Sequence, residues 1–227
     1  MALLTLPRRL LKLVHPEGIP FPGTVLYNLI SRSDIFQKHY ELLSGDIYGH
    51  CHDGSILDIG TGPGWLLMKL HSLNPAFNLT GIDVSASMVA KARKNMEKAG
   101  LSRAVRIEQG NANRLSMADG SFDAVVSTGS LHHWKEPILG LNEVHRVLKP
   151  GGASLIYDLV TDTPPAALRE AAERFGRMRM ILLWLHAFEE PFYSQEKLTE
   201  LAYSTNFAGG CCRFVGVLCC LHLIKAI

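Results

Sequence analysis

Three glycines at every second position follow a short apolar segment, and this loop constrains the fold more than any other feature. The run reads Ile56-Leu57-Asp58-Ile59-Gly60-Thr61-Gly62-Pro63-Gly64-Trp65. Glycine tolerates positive φ and lets backbone N–H groups approach a ligand that a Cβ would hold away. The pattern therefore predicts a buried strand that ends in a ligand-binding turn.

The spacing of these glycines separates two kinds of cofactor. The dinucleotide fingerprint G-x-G-x-x-G would need a third glycine at Trp65 or Leu67, and this register argues against an NAD-dependent oxidoreductase. Asp58 lies two residues before the first glycine, where a carboxylate suits a cationic group better than a pyrophosphate. The loop therefore favours a ligand that carries an ammonium or sulfonium group.

A second acidic residue follows at the distance expected for nucleoside binding. Residues 79–84 predict a second strand, and Asp83 lies 19 residues after Gly64. In dinucleotide-binding folds, a carboxylate about 20 residues beyond the glycine loop binds the ribose hydroxyls. An adenosine-containing ligand is thereby indicated.

Four motifs occur together in a recognisable order: ILDIGTGPGW, GIDVSASMVAKARKN, GNANRLSMADGSFDAVVS and EVHRVLKPGG. In these motifs and their spacing the chain resembles the class I S-adenosylmethionine-dependent methyltransferases over roughly residues 37 to 160. The core is also similar to the ubiquinone/menaquinone biosynthesis methyltransferases. The resemblance implies S-adenosylmethionine as cofactor and S-adenosylhomocysteine as product.

The resemblance also implies roles for individual residues. The glycines would wrap the methionine part of the cofactor, Asp58 would position its amino group, and Asp83 would bind both ribose hydroxyls. Asn111 stands where the family commonly has an acid that accepts from the adenine amine, and its carboxamide oxygen can still accept. The full set expected at the cofactor is Tyr40, Asp58, Gly60, Thr61, Gly62, Gly64, Asp83, Val84, Met88, Asn111, Ala112 and Ser127.

The acceptor is expected where the fourth and fifth strands end, because ligands of open α/β sheets bind at the carboxyl ends of the strands. A base is needed there if the acceptor is a hydroxyl, an amine or an activated ring carbon. His132, His133 and Asp158 are the expected catalytic residues, and Tyr157 and Trp184 the expected acceptor contacts. Two alternatives stay open: one histidine caps the turn or packs under the cofactor, and only one of Tyr157 and Asp158 points into the crevice.

Alternating strand and helix signals predict one doubly wound, Rossmann-like α/β domain. Its seven-stranded sheet would be mostly parallel, with a C-terminal antiparallel hairpin and helices on both faces. Strands are expected near 55–60, 78–83, 104–109, 122–127, 153–159, 211–215 and 217–225, and the clearest helices at 64–72, 85–99, 137–148 and 165–176. The domain would comprise an N-terminal helical cap (1–54), a cofactor-binding core (55–160), a substrate-covering helical insertion (161–200) and a terminal hairpin region (201–227).

Segments outside the core are expected to select the acceptor. Residues 178–188 are strongly apolar but far shorter than the about 20 residues that span a bilayer. They predict either a buried helix or a lid whose Trp184 lines an apolar pocket, opposite a wall formed by residues 16–22. A small lipophilic or amphipathic acceptor fits this reading. The net charge of +2 gives no argument for nucleic acid.

Cysteine usage and the N-terminal segment bear on location. The chain has 5 cysteines, an odd number, and no convincing signal peptide, which favours a reducing cytoplasm. Residues 7–15 form a basic amphipathic segment that suits either peripheral contact with an anionic membrane or packing on the domain's own flank. The sequence leaves the oligomeric state open.

Four of the 5 cysteines form a near palindrome close to the end of the sequence, at positions 211, 212, 219 and 220. A two-residue turn at Val215-Gly216 would place Cys212 opposite Cys219 and Cys211 opposite Cys220. Metal or arsenic chemistry is conceivable there, but the spacing is unusual for zinc. We therefore predict buried small hydrophobic residues and no metal.

Two classes of function remain. The first is methyl transfer by in-line displacement to a small, lipophilic or amphipathic acceptor. The second is a non-catalytic cofactor-binding or assembly protein with the same fold, associated with a membrane through residues 7–15. Cofactor binding without turnover on any acceptor would favour the second.

Overall fold

The computed structural model describes residues 34–176 and 192–227. In chain order its elements are α1 Asp34–His50, β1 Ser55–Ile59, α2 Trp65–Leu73, β2 Asn78–Asp83, α3 Ala86–Lys98, β3 Val105–Gln109, β4 Phe122–Thr128, α4 Pro137–Val147, β5 Leu148–Asp158, α5 Pro165–Phe175, α6 Gln195–Tyr203, β6 Cys211–Val215 and β7 Leu218–Ile224. A short 3₁₀ helix, Leu131–His133, follows β4.

The strands form one seven-stranded sheet in the order β3-β2-β1-β4-β5-β7-β6. Strands β1 to β5 are parallel, and β7 pairs antiparallel with both β5 and β6. The strand order reverses between β1 and β4, and a ligand crevice is expected at such a switch point. The fold predicted from the sequence is confirmed.

Helices cover both faces of the sheet and create two apolar cores. One core joins α1, α2 and α3 to the sheet through residues such as Leu43, Leu67 and Met96. The other joins α4 and α6 to the opposite face through Val144 and Leu198. Because both faces of the sheet are covered, its central strands β1 and β4 are mostly buried, as expected for parallel strands.

The start of β5 differs from the prediction. The predicted helix 137–148 and strand 153–159 left residues 149–152 as a connection, but the structure includes them in β5, with a register shift against β4 between Phe122 and Ala124. Gly151 has a φ of 77°, and its N–H donates to the Lys225 carbonyl. The irregular segment is therefore held by β4 on one side and by the end of the chain on the other.

The terminal hairpin is present, but its predicted register is wrong. Its turn lies at Gly216 and Val217, so Cys212 pairs with Leu221 and Cys219 with Phe214. The register differs because Gly216 has a φ of 61°, a left-handed conformation that suits the first position of a two-residue hairpin turn. The cysteines expected to lie directly opposite each other are therefore diagonal neighbours.

Several predictions fall outside the described residues. These are the basic segment 7–15, the wall at 16–22, the apolar segment 178–188 and its Trp184. Among the helices within 34–176 and 192–227, none is long and apolar enough to cross a membrane. The proposed division of the chain into cap, core, insertion and hairpin region stays a prediction.

Candidate active site

The glycine loop joins the end of β1 to the start of α2. The N–H groups of Gly60 and Thr61 both donate to the Ile82 carbonyl at 2.9 Å, which ties the loop to β2. Gly60 has a φ of 75°, and a Cβ there would lie 2.5 Å from Ser130 Oγ. Both the backbone conformation and the space therefore require glycine at this position.

Asp83 closes the cradle from the side of β2. Its Oδ2 accepts from the Gly62 N–H and its Oδ1 from the Ser85 N–H, both at 2.9 Å. Burial raises the pKa of the Asp83 carboxyl, and these two donors oppose that rise. Each carboxylate oxygen keeps a further lone pair, so the side chain is positioned to accept from two hydroxyls at once.

Asp58 is an almost completely buried carboxyl on β1, with 2% of its surface exposed. Burial raises its pKa to about 7, the Asp83 carboxylate adds to the rise, and the Thr61 hydroxyl opposes it. The described groups that act on this pKa include no cation. A buried carboxyl without a cationic partner beside a glycine cradle fits the ammonium group of S-adenosylmethionine, as the sequence predicts.

The expected adenine contacts lie beyond β2 and β3. Met88 is buried on the first turn of α3, and Val84 is half-buried at the end of β2. Asn111 Oδ1 accepts from the Asn113 N–H at 2.8 Å and so stabilises its own turn. Ala112 is buried next to it. These residues follow the carboxyl ends of β2 and β3, and their contacts with adenine stay a prediction.

Ser127 lies on β4 and supports the end of β1, where the glycine loop begins. The side chain is fully buried, and its hydroxyl donates to the Ile59 carbonyl at 2.8 Å. We therefore correct its expected direct contact with the cofactor: Ser127 holds the end of β1 against β4. Its buried hydroxyl is committed to the backbone.

Sequence reasoning missed two residues that reinforce this junction. Ser130 Oγ lies 3.0 Å from Ser127 Oγ and accepts from Trp134 Nε1–H at 3.0 Å. Ser130 also occupies the space beside Gly60. The 3₁₀ helix that carries His132 and His133 is therefore anchored directly to the glycine loop. Trp134 directly follows the two predicted histidines, but no local pattern marks Ser130 as its partner.

His132 and Asp158 form a buried dyad at the carboxyl ends of β4 and β5. Nδ1 of His132 lies 2.9 Å from both carboxylate oxygens of Asp158. The same carboxylate accepts from the backbone N–H groups of His132 and Leu159 at 3.0 and 2.9 Å. Because a carboxylate only accepts hydrogen bonds, Nδ1 is the donor, and in the neutral ring Nε2 is the nitrogen that can accept a proton.

The second histidine and one unforeseen aromatic residue surround this dyad. The His133 ring lies 4.0 Å from the His132 ring, and the Phe192 ring lies 4.5 Å from it. The structure therefore brings together the three residues predicted to be catalytic. Phe192 was not predicted, because it lies 60 residues along the chain from His132 and no local pattern marks it.

Tyr157 does not face the crevice, and its expected contact with the acceptor is corrected. It lies on the other face of β5 from Asp158, is fully buried, and donates from its hydroxyl to Asp46 Oδ2 at 2.6 Å. Arg213 binds both oxygens of Asp46 at 2.7 Å. Burial raises the pKa of Tyr157, which further removes it from acid–base chemistry. The three residues instead join α1 to β5 and β6.

Tyr40, which is also expected to contact the cofactor, lies on α1. It is 8% exposed and packs within the same core as Leu43. The helix continues from there to the Asp46 cluster, so α1 is anchored at its C-terminal half. Closure of Tyr40 over the methionine part of the cofactor stays a prediction.

Comparison with known proteins finds methyltransferase relatives. Residues 56–152 match the family model described as a methyltransferase domain. A demethylmenaquinone methyltransferase of Bacteroides fragilis is 35% identical over 47% of this chain and 43% of its own length. The ubiquinone/menaquinone biosynthesis C-methyltransferase UbiE of Desulfotalea psychrophila is 36% identical over 68% of this chain and 65% of its own length. The chain spans about half the length of the first curated relatives it matches, 43% to 48%.

Solved structures share the fold at low sequence identity. A SAM-dependent methyltransferase from Aquifex aeolicus has a TM-score of 0.61 and 21% identity, with coverage of 83% of this chain and 93% of that chain. The plantazolicin methyltransferase BpumL, in complex with a pentazolic desmethylPZN analogue and SAH, has a TM-score of 0.66 and 16% identity, with 90% of each chain covered. At these identities the likeness concerns the fold.

Proposed function

We propose that this chain, which carries a class I S-adenosylmethionine-dependent methyltransferase domain, transfers a methyl group to a small lipophilic or amphipathic acceptor. The observation that carries the proposal is the His132–Asp158 dyad, which lies at the same sheet edge as the glycine cradle. A cradle without a base would suit a binding protein equally well. A buried, oriented base beside it suits catalysis.

The chain's own residues supply alignment and proton removal. S-adenosylmethionine supplies an electrophilic sulfonium methyl group when it is bound. Asp58 and Asp83 orient the amino and ribose ends, and orientation alone lowers the barrier of such a displacement substantially. Asp158 holds the His132 ring in one tautomer, and Nε2 removes the proton of the acceptor. Such general-base catalysis contributes typically about 10² to 10⁴ in rate.

The acceptor class rests on relatives and on the surroundings of the dyad. Named relatives act on demethylmenaquinone and in ubiquinone/menaquinone biosynthesis. Phe192 places an aromatic ring 4.5 Å from the His132 ring. We infer a quinone precursor or a comparable lipophilic compound, with an activated ring carbon or a hydroxyl as the methylated position.

Methyl transfer is tested with S-adenosylmethionine labelled in its methyl group. Purified protein is incubated with quinone precursors and with lipid extracts, and label is counted in the organic phase. We expect label in the organic phase with wild-type protein and at least about a hundredfold less with His132→Ala. Calorimetric binding of S-adenosylmethionine without label transfer to any extract would instead favour the cofactor-binding or assembly protein.

We predict that the affinity for S-adenosylmethionine falls as the pH drops below 7. Burial holds the pKa of the Asp58 carboxyl at about 7 without ligand, and a bound ammonium group lowers it. Binding therefore requires the ionised form, which prevails above pH 7. Affinity is expected to decrease by up to about tenfold per pH unit below that value. Calorimetry between pH 5.5 and about 7.5 measures this, below the range where an α-amino group itself loses its proton.

Asp58→Asn provides the control for this pH dependence. The amide is nearly isosteric but does not titrate, so its weaker binding should stay flat over the same range. If wild-type affinity is equally flat, Asp58 does not contact the ammonium group. A slope that persists in Asp58→Asn would assign the titration to another carboxyl, and Asp83, whose pKa is also raised by burial, is the first to test.

A further inference from the structure

Two cysteines lie together on one face of the terminal hairpin. Cys212 pairs with Leu221, and Cys219 pairs with Phe214, so the two are diagonal neighbours across β6 and β7. Side chains two positions apart along a strand share a face of the sheet. Both therefore point to the face covered by α6, where they belong to one apolar cluster. The Cys219 thiol donates to the Cys212 sulfur and thereby lowers the Cys212 pKa.

The two thiols differ in access. Cys219 is completely buried, whereas Cys212 is half-buried. Cys212 Sγ also lies 3.7 Å from Thr199 Oγ1, and its S–H donates to the Gln195 carbonyl at 3.8 Å. A small oxidant can therefore reach Cys212 from solvent, and Cys219 is its buried diagonal neighbour on the same face of the hairpin.

We propose that Cys212 and Cys219 are a modification site at which a hydroperoxide forms a reversible disulfide. Cys212 is the thiol attacked first, and Cys219 is the resolving thiol. This inference is independent of the proposed methyl transfer.

The chemistry balances with hydrogen peroxide as the oxidant. The Cys212 thiolate attacks one oxygen, so that an S–O bond forms, the O–O bond breaks and a water molecule leaves after protonation. The Cys219 sulfur then attacks the sulfenic sulfur, the S–S bond forms and the S–O bond breaks, with loss of a second water. Two thiols are oxidised, and the peroxide is reduced to two waters.

The electrostatics favour this order of events. The Cys219 hydrogen bond lowers the pKa of the Cys212 thiol and so favours its thiolate, while burial opposes this effect. The same hydrogen bond, together with burial and the negative charge of Cys212, raises the pKa of Cys219. Oxidation of Cys212 removes its negative charge and therefore makes the second thiol easier to ionise.

The pair lies next to the candidate active site. Cys219 is the register partner of Asp158 on β5. Gln195, which Cys212 contacts, begins α6 three residues after Phe192, whose ring packs on His132. A disulfide would draw Cys212 away from α6 at this junction.

A second diagonal pair serves as an internal control. Cys211 pairs with His222 and Cys220 with Arg213, so Cys211 and Cys220 have the same diagonal relation on the opposite face. Burial raises the pKa of Cys220 to about 12. Cys211 is exposed, so exposure alone would make it the more reactive thiol. If exposure controls oxidation, Cys211 should react first. If the contact between the two thiols controls it, Cys212 should react first.

The test is mass spectrometry of the purified chain after brief treatment with hydrogen peroxide. We expect a loss of about 2 Da, reversed by dithiothreitol, and a tryptic crosslink between Cys212 and Cys219. Cys219→Ser should lose the crosslink and accumulate sulfenic acid at Cys212, which dimedone traps. Cys211→Ser should leave the crosslink unchanged.

Two results would overturn the proposal. One is a crosslink between Cys211 and Cys220, and the other is oxidation at Cys211 with Cys212 still reduced. Circular dichroism of each serine variant shows whether the hairpin is intact, and Cys212→Ala tests the same loss with an apolar replacement. Because none of these readouts uses S-adenosylmethionine or an acceptor, their outcome does not depend on methyl transfer.

Discussion

Asp83→Ala is expected to weaken the binding of S-adenosylmethionine about a hundredfold or more. A hydrogen bond to a charged group contributes about 1.5 to 3 kcal/mol, and two ribose hydroxyls would lose such a bond. Each factor of ten in affinity corresponds to about 1.4 kcal/mol. Isothermal titration calorimetry with S-adenosylmethionine and S-adenosylhomocysteine measures the change, and both ligands should lose affinity equally because they share the ribose.

The same carboxylate also organises the cradle, so a second variant separates binding from folding. Asp83→Ala leaves the N–H groups of Gly62 and Ser85 without their acceptor. Asp83→Asn keeps the size of the side chain and one acceptor oxygen. It should be more stable than Asp83→Ala but should still bind S-adenosylmethionine weakly. Thermal unfolding without ligand compares the two variants with wild type.

Asp123→Asn is the matched control for this experiment. Asp123 also accepts a backbone N–H, from Ser55 at 2.8 Å, and it pairs with Lys149. It lies at the opposite end of the sheet, beside the start of β1. Its variant should therefore bind S-adenosylmethionine as wild type does. Unchanged affinity in Asp83→Asn and Asp83→Ala would refute the ribose assignment.

The parts of the site that the sequence could predict are those set by local chemistry. Gly60 needs a positive φ and sits against Ser130, so only glycine fits, and the pattern is visible in a single chain. Asp83 ends a buried strand at a characteristic distance from that loop. His132 and Asp158 each follow or end a strand, and parallel strands bring their carboxyl ends to one edge. The parallel direction of most strands was predictable from the alternation of strands and helices.

The parts that could not be predicted depend on contacts between distant segments. Both Tyr157 and Asp158 end β5, and only the pairing of Tyr157 with Asp46 shows which one faces away from the crevice. The hairpin register turned on whether Gly216 stood first or second in the turn, a choice of one residue that shifts every pair. Ser127 is likewise a polar residue at the end of a strand, which favours a ligand contact, but its hydroxyl donates a hydrogen bond to the Ile59 carbonyl.

Removal of the His132–Asp158 dyad is expected to lower turnover far more than it lowers the affinity for S-adenosylmethionine. His132→Ala should lower kcat by about 10² to 10⁴ once an acceptor is identified, because it removes the general base. Asp158→Asn tests the orientation of the same base. An amide N–H facing Nδ1 favours the tautomer with hydrogen on Nε2, which has no lone pair for the acceptor. Both variants should retain the affinity for S-adenosylmethionine within about twofold, since neither residue belongs to the cradle.

Two further histidine variants decide which ring acts and whether the effect is specific. His145→Ala removes a histidine on α4 that packs on Phe207, and it should leave kcat unchanged. His133→Ala removes the ring 4.0 Å from His132 and should cost less than His132→Ala. A larger loss in His133→Ala would assign the base to His133, with the dyad as its support. Equal losses of turnover and cofactor affinity in His132→Ala would place His132 at the cofactor rather than at the acceptor.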